Sequence, residues 1–170
     1  GHVPRPDGET IALDWDAPLY SFGQLFQEDI CIMQKQGDEH VLTGAVLCFP
    51  ASWKLNEKFM QPLTMIHVPV GSYTDDIARR VQRLFDGVRP ERPLWRFNAL
   101  WYADAALHQP RSAHDRRDER FDATADFMRS ERQSILRLPK TGAAVFSIHT
   151  FLVARADMTP PETDLTERIV

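Results

Sequence analysis

The chain has 170 residues, a length that suits one domain. Hydrophobic residues make up 43% and charged residues 26%, which excludes wholesale disorder. The formal net charge of −4 argues against a general nucleic-acid binder, which wants a basic face. No apolar run approaches the ~18 residues of a membrane-spanning helix, and no signal-peptide pattern is visible. Cys31 and Cys48 sit in apolar runs without a CxxC partner. They read as two buried free thiols in a reducing, cytoplasmic compartment. The chain opens Gly1-His2 rather than Met, so the expectation is that more chain precedes it.

Residues 1–18 are polar and proline-rich and read as a lead-in, with a short strand at Ile11–Leu13. Phe22, Leu25 and Phe26 predict a short helix with Ser21 as its N-cap. Ile30–Met33 and Val41–Phe49 read as two strands of an antiparallel hairpin turned at Gly37-Asp38. Pro50 ends the second strand, because proline has no amide donor for the ladder. Ser52 is placed to cap a helical turn over Trp53–Phe59, and Pro62 to stop it. The next run, Leu63 to Val70, is apolar except for Thr64, His67 and Pro69, and is read with its flanks as a shaped loop that delivers one imidazole. Thr74 with Asp75 and Asp76 opens the clearest helix, with Ile77, Val81, Leu84, Phe85 and Val88 on one face. Leu94–Tyr102 reads as a strand with one aromatic face (Trp95, Phe97, Trp101), alternating with Arg96 and Asn98. Residues 103–122, including His114–Arg120, read as a solvated surface loop. Phe127–Leu138 and Ala143–Val153 read as a long hairpin about Pro139–Gly142, although the first arm also permits a helix. The chain from Ala154 reads as a tail that is loose or needs a partner. Hairpin-linked strands with a few helices point to an α+β layer with an antiparallel sheet. The divisions are a lead-in at 1–18, a single domain at 19–153 and a tail at 154–170.

No phosphate-binding glycine loop, nucleophile elbow, HExxH helix or zinc-finger spacing is present. The six histidines are scattered, so no zinc centre is expected. For a lone His67 in an apolar run, the default is a core imidazole bonded to a backbone carbonyl. The functional alternative is an axial iron ligand, since haem takes a neutral imidazole on its proximal side. Glu28-Asp29 at a strand start is either a solvated turn or a carboxylate that holds a cation, and alternation lets only one of the two face a pocket. Arg96 and Asn98 share a strand face, where a buried Arg would need an anion. Arg137 and Lys140 flank the hairpin turn, as surface charge or as an anion clamp.

Gln27-Glu-Asp-Ile-Cys31, Cys48-Phe-Pro-x-x-Trp53, Lys58, Ile66-His-Val-Pro-Val70, Arg89-Pro, Trp95-Arg-x-Asn98, Glu131-Arg-Gln133 and Leu138-Pro-Lys-Thr-Gly-Ala-x-Val-Phe-Ser-Ile148 occur in that order. Together, from about Leu19 to Leu152, they resemble the alpha subunit of haem-dependent oxidative N-demethylase. The resemblance implies a PAS-like α+β fold holding haem b. It implies oxidation of a secondary amine to formaldehyde and a primary amine, with electrons from a reductase that carries flavin and an iron–sulfur cluster. Carried over residue by residue, His67 becomes the iron ligand. Arg96, Asn98, Arg137 and Lys140 become cofactor-binding positions, of which the basic Arg96, Arg137 and Lys140 could pair with propionates, and Glu28 or Asp29 the carboxylate for an ammonium substrate. The chain departs from its relatives at Gly71, where they carry Pro, and at Ala99, where they carry Trp directly after the Asn. It departs again at His149-Thr-Phe151, where Arg-Thr-Tyr is common. The last change removes a cation and a hydroxyl, which would alter substrate choice if those groups line the pocket.

Three readings follow: a haem-dependent monooxygenase acting on a small amine, a PAS-type haem or small-ligand sensor without turnover, and a cofactor-free scaffold.

Overall fold

Short β-branched runs on either side of a turn form the expected hairpin. Strand β3 (Asp29–Gln36) pairs antiparallel with β4 (Glu39–Val46), and the turn places Gly37 at φ +61°. Before these strands, β1 (His2–Pro4) pairs with β2 (Thr10–Ala12), and α1 (Pro18–Leu25) follows. After them come α2 (Leu55–Lys58), α3 (Leu63–His67), α4 (Asp75–Gly87), β5 (Leu94–Tyr102), β6 (Phe127–Arg137) and β7 (Ala144–Ala154). The computed structural model describes residues 1–51, 53–67, 75–112 and 124–159. The expected caps Ser52 and Thr74, the breaks at Pro69 and Gly71, the run 114–120 and Pro160-Pro161 lie outside the described residues. So does the side chain of His67.

Five strands form one antiparallel sheet in the order β4-β3-β7-β6-β5, and β1-β2 form a separate two-stranded sheet. The α+β expectation with an antiparallel sheet holds. β6 is a strand over its whole length, so the helical alternative for this arm falls. Its polar residues find cross-strand partners in β5 and β7, and that outweighs the helix propensity of Glu131 to Gln133. The β6–β7 turn closes with Gly142 N–H donating to the Leu138 carbonyl at 2.9 Å and Gly142 at φ +70°. An L side chain is strained at this φ. Gly142→Ala is therefore expected to destabilise the fold by about 1 kcal/mol in urea unfolding.

Helices α2, α3 and α4 pack on one face of the sheet. Leu63, Phe85 and Val88 join Cys31, Met33, Leu42, Ile135 and Ala144 in a buried cluster, with Trp53, Leu55, Ile66 and Val81 against it. Burying residues such as Leu42, Leu63 and Phe85 contributes roughly 1.5–3 kcal/mol each. The stripe of α4 is only partly used: Phe85 and Val88 are buried, while Ile77 and Leu84 stay exposed. Helix α1 lies on the other face. There Leu19 reaches Gly44, and a Cβ at Gly23 would come within 2.9 Å of Val46.

Five expectations are corrected. Ser21 is not the cap of α1. The helix starts at Pro18, whose fixed φ suits a first turn, and Asp14 accepts the Asp16 and Ala17 amides while the Ser21 hydroxyl accepts the Asp14 amide at 2.8 Å. Strand β4 stops at Val46, before Phe49, because the Cys48 and Phe49 amides turn to the Asp29 carboxylate. The Trp53–Phe59 turn is helical only over Leu55–Lys58, and the run from Leu63 is helical as far as His67 rather than a loop. The chain after Ala154 is held as far as Met158. Arg155 stacks on Trp101 at 3.7 Å, and Met158 packs against the Trp101, Ala125 and Met128 cluster.

Candidate functional site

Strand alternation decides which candidates share a face. On the helix-bearing side, cross-strand rows run toward the β5 edge. Cys31, Phe146, Ile135 and Leu94 form an apolar row. The next holds Asp29, Ile148, Gln133 and Arg96, then Thr150, Glu131 and Asn98, then Leu152, Arg129 and Leu100. The middle of this face is therefore polar, although it adjoins the core.

The polar rows are tied together. Arg96 Nε donates to Gln133 Oε1 at 2.8 Å, and Gln133 Nε2 donates to Glu131 Oε2 at 3.0 Å. Asn98 Nδ2 reaches the same Glu131 oxygen at 3.4 Å. Arg129 Nε lies 3.7 Å from Glu131 Oε1. Arg96 and Asn98 do share a face, as the strand pattern requires. Arg96 is exposed, and its two terminal nitrogens have no partner among the described residues. Leu94 and Leu100 flank it, also exposed.

Glu28 and Asp29 part company. Asp29 is 1% exposed and lies on the helix-bearing side. Its Oδ1 accepts the Cys48 amide at 2.6 Å and the Phe49 amide at 2.8 Å. Burial pushes its carboxyl above the usual range, opposed by those two amides and by Arg129. Glu28 reaches the opposite face. It meets Arg132 at 3.1 Å and His149 at 3.7 Å, and it accepts the Ser147 hydroxyl. An aromatic strip of Trp95, Phe97 and Phe151 lies beside this cluster. The two acids thus cannot serve one pocket.

The hairpin cations also separate. Arg137 holds the end of α4 to the β6–β7 turn, donating to the carbonyls of Val88 at 3.2 Å, Gly142 at 2.5 Å and Phe85. Its guanidinium is occupied by main chain. Lys140 is exposed at the turn and has no partner among the described residues. Replacing Arg137 with Met is expected to free the end of α4 and lower stability by about 2 kcal/mol, read by thermal unfolding.

His67 is the last residue of α3, on the same side of the sheet as Arg96. The carbonyl before it, that of Ile66, accepts Lys58 Nζ at 2.6 Å. Burial lowers the Lys58 pKa. A cavity of about 310 Å³ lies elsewhere, lined by Asp38, Glu39, Thr64, Ala78, Arg79, Gln82 and Arg83, and shares no residue with the polar rows. Cys31 is buried and its thiol is pushed up to about 12 by burial, so it is inert as a nucleophile.

Sequence reading missed the role of Arg129. At 2% exposure it is the largest fully buried polar side chain. It donates to the carbonyls of Leu107 at 2.9 Å and Phe49 at 2.6 Å, and to Thr150 Oγ1 at 3.3 Å. No two-residue period pointed to it, since 129–134 is a continuous polar run that fits strand or helix alike. A family model described as haem-dependent oxidative N-demethylase, alpha subunit-like, matches residues 4–170. The chain belongs to that family.

Proposed function

We propose that this chain is the haem-binding subunit of an oxidative N-demethylase, and that haem b lies on the helix-bearing side of the sheet. The observation that carries the reading is the β5–β6 side of that face. An exposed Arg96, whose terminal nitrogens have no partner among the described residues, sits between the exposed Leu94 and Leu100, beside a bonded Asn98–Glu131–Gln133 group. An apolar strip interrupted by a cation suits a flat macrocycle with carboxylate arms. An imidazole-bearing residue ends α3 on the same side. These residue types suit a haem, which takes an imidazole as iron ligand.

In this reading His67 ligates the iron, and Arg96 with Asn98 meets a propionate. Lys140 is a second, more distant candidate for that anion. Arg137 acts on the main chain. When bound, haem supplies the activation of oxygen. The chain's own share is binding, orientation and electrostatics. Of the two acids, Asp29 is on the haem side, but two amides hold one of its oxygens. Glu131 is on the same face and nearer to the open strip. The amine is thus oriented by the carboxylates of this face, and Glu28 is left to the opposite one.

The overall change is removal of one N-methyl group: one amine, one O₂, two electrons and two protons give the demethylated amine, formaldehyde and water. The electrons come from a partner, which the alpha-subunit description of the family implies; a reductase carrying flavin and an iron–sulfur cluster would serve. The antiparallel sheet, with α2, α3 and α4 on one face and α1 on the other, is compatible with a PAS-like arrangement, which belongs to the same proposal. No helix among the described residues is long and apolar enough to cross a membrane.

The test is turnover. The haem-loaded chain, given a reductase, oxygen and a panel of small N-methylamines, is expected to release formaldehyde in step with electron consumption. Stoichiometric haem binding without formaldehyde from any amine would favour a sensor.

A further inference from the structure

We infer that Lys58 is a positioning residue for His67: its ammonium fixes the end of α3 and so sets the direction in which the iron ligand leaves the main chain. The inference rests on the haem reading of this face.

Helix α3 has five residues. Such a helix has almost no intrinsic stability, and its last carbonyls need outside donors. Lys58 supplies one. Its Nζ donates to the Ile66 carbonyl at 2.6 Å, one peptide before His67. A cation at a helix C-terminus also opposes the helix dipole favourably.

Lys58 itself is held from several sides. It is the last residue of α2. The chain then turns through Met60 at φ +61°, and two main-chain bonds lace this turn to β4. Met60 N–H donates to the Leu42 carbonyl at 2.8 Å, and Leu42 N–H donates to the Gln61 carbonyl at 3.1 Å. The ammonium lies 5.9 Å from the centre of the Trp53 ring, and Trp53 packs on the core cluster. Ile66 packs on the same cluster. A rigid corner therefore projects one ammonium onto one carbonyl. A half-buried lysine whose burial opposes its charge is an expensive way to stabilise a surface turn. Its cost is understandable where the placement of the next residue matters. Partners that orient a metal ligand typically change metal affinity by about 10–100-fold when removed.

The test compares wild type, Lys58→Met, Lys58→Arg and His67→Ala. Met keeps the length and apolar stem without a donor, whereas Arg keeps the charge and the donor. The first readout is hydrogen exchange of the 63–67 amides in the haem-free chain, beside its thermal unfolding. The second is titration with haemin, recording affinity and the Soret and visible bands. In Lys58→Met, exchange at 63–67 is expected to rise while the melt stays cooperative. Haem affinity is expected to fall at least tenfold with shifted bands, and Lys58→Arg to recover most of both. Unchanged exchange in Lys58→Met would overturn the inference. Raised exchange with unaltered affinity and bands would overturn it too, leaving Lys58 as a helix cap only. If His67→Ala binds haem as wild type does, the assignment of His67 as the iron ligand fails and the inference with it, whereas wild type that binds no haem sinks the haem reading itself.

Discussion

Replacing Arg129 with Met is expected to destabilise the chain by about 3–5 kcal/mol, the largest effect of any substitution considered. The guanidinium is buried, bonded to two carbonyls and a hydroxyl, and lies over the Tyr102 ring at 5.7 Å. Met fills much of the volume but leaves the Leu107 and Phe49 carbonyls without a donor. It also leaves Glu131 and the buried Asp29 without their nearby cation. Each orphaned buried group costs about 1–3 kcal/mol. Against a total stability of roughly 5–15 kcal/mol, the loss is severe. Arg129→Lys should recover only part, because an ammonium cannot span both carbonyls as a fork does. Thermal unfolding checks this. A Met variant that melts within a degree or two of wild type would show that Arg129 is not the clamp of this corner.

Asp29 is the second. Asp29→Ala is expected to cost about 3 kcal/mol, because two amides lose their acceptor. Asp29→Asn keeps an acceptor oxygen and should cost much less. Its pH dependence has a definite sign. Burial raises the Asp29 pKa in the folded state, so the folded chain binds this proton more tightly than the unfolded chain. The contribution of Asp29 to stability is then greatest below the unfolded carboxylate range near 4. It declines as pH rises from there through the raised folded value, and is flat above it. Asn does not titrate. Urea unfolding should therefore show Asp29→Asn gaining on wild type as pH rises from about 3.5 to 7. A gap that widens the other way would mean that Asp29 is held ionised by Arg129 and the amides against its burial.

These two residues explain a stretch that the sequence marks without interpreting. Cys48-Phe-Pro was legible as a break after a strand, because proline ends ladders. The reason the strand ends before Pro50 lies nineteen residues back, in a carboxylate that takes the amides β4 would otherwise offer. Long-range pairing of that kind has no local pattern. The hairpins, the helix at 75–87 and the shared face of Arg96 and Asn98 were legible, since each rests on a period of two or 3.6. Which face of the sheet each half of Glu28-Asp29 serves was not. Alternation says only that they differ, and the assignment needed Arg132, His149 and Ser147 on one side and Arg129 on the other. Arg137 shows the opposite failure. As a cation beside a turn it looked ready for an anion, yet the bared carbonyls at the end of α4 claim it. Such carbonyl demand is invisible until the helix and the turn are brought together.

The account turns on haem bound through His67 on the helix-bearing side of the sheet. The most direct measurement is an ultraviolet–visible titration of the purified chain with haemin, beside His67→Ala and, for the open strip, Arg96→Leu. The account predicts a sharp Soret band saturating at one haem per chain in wild type. That band is shifted or lost in His67→Ala, and present but weaker-binding in Arg96→Leu. A wild-type band that never saturates, or one identical in all three proteins, would contradict it.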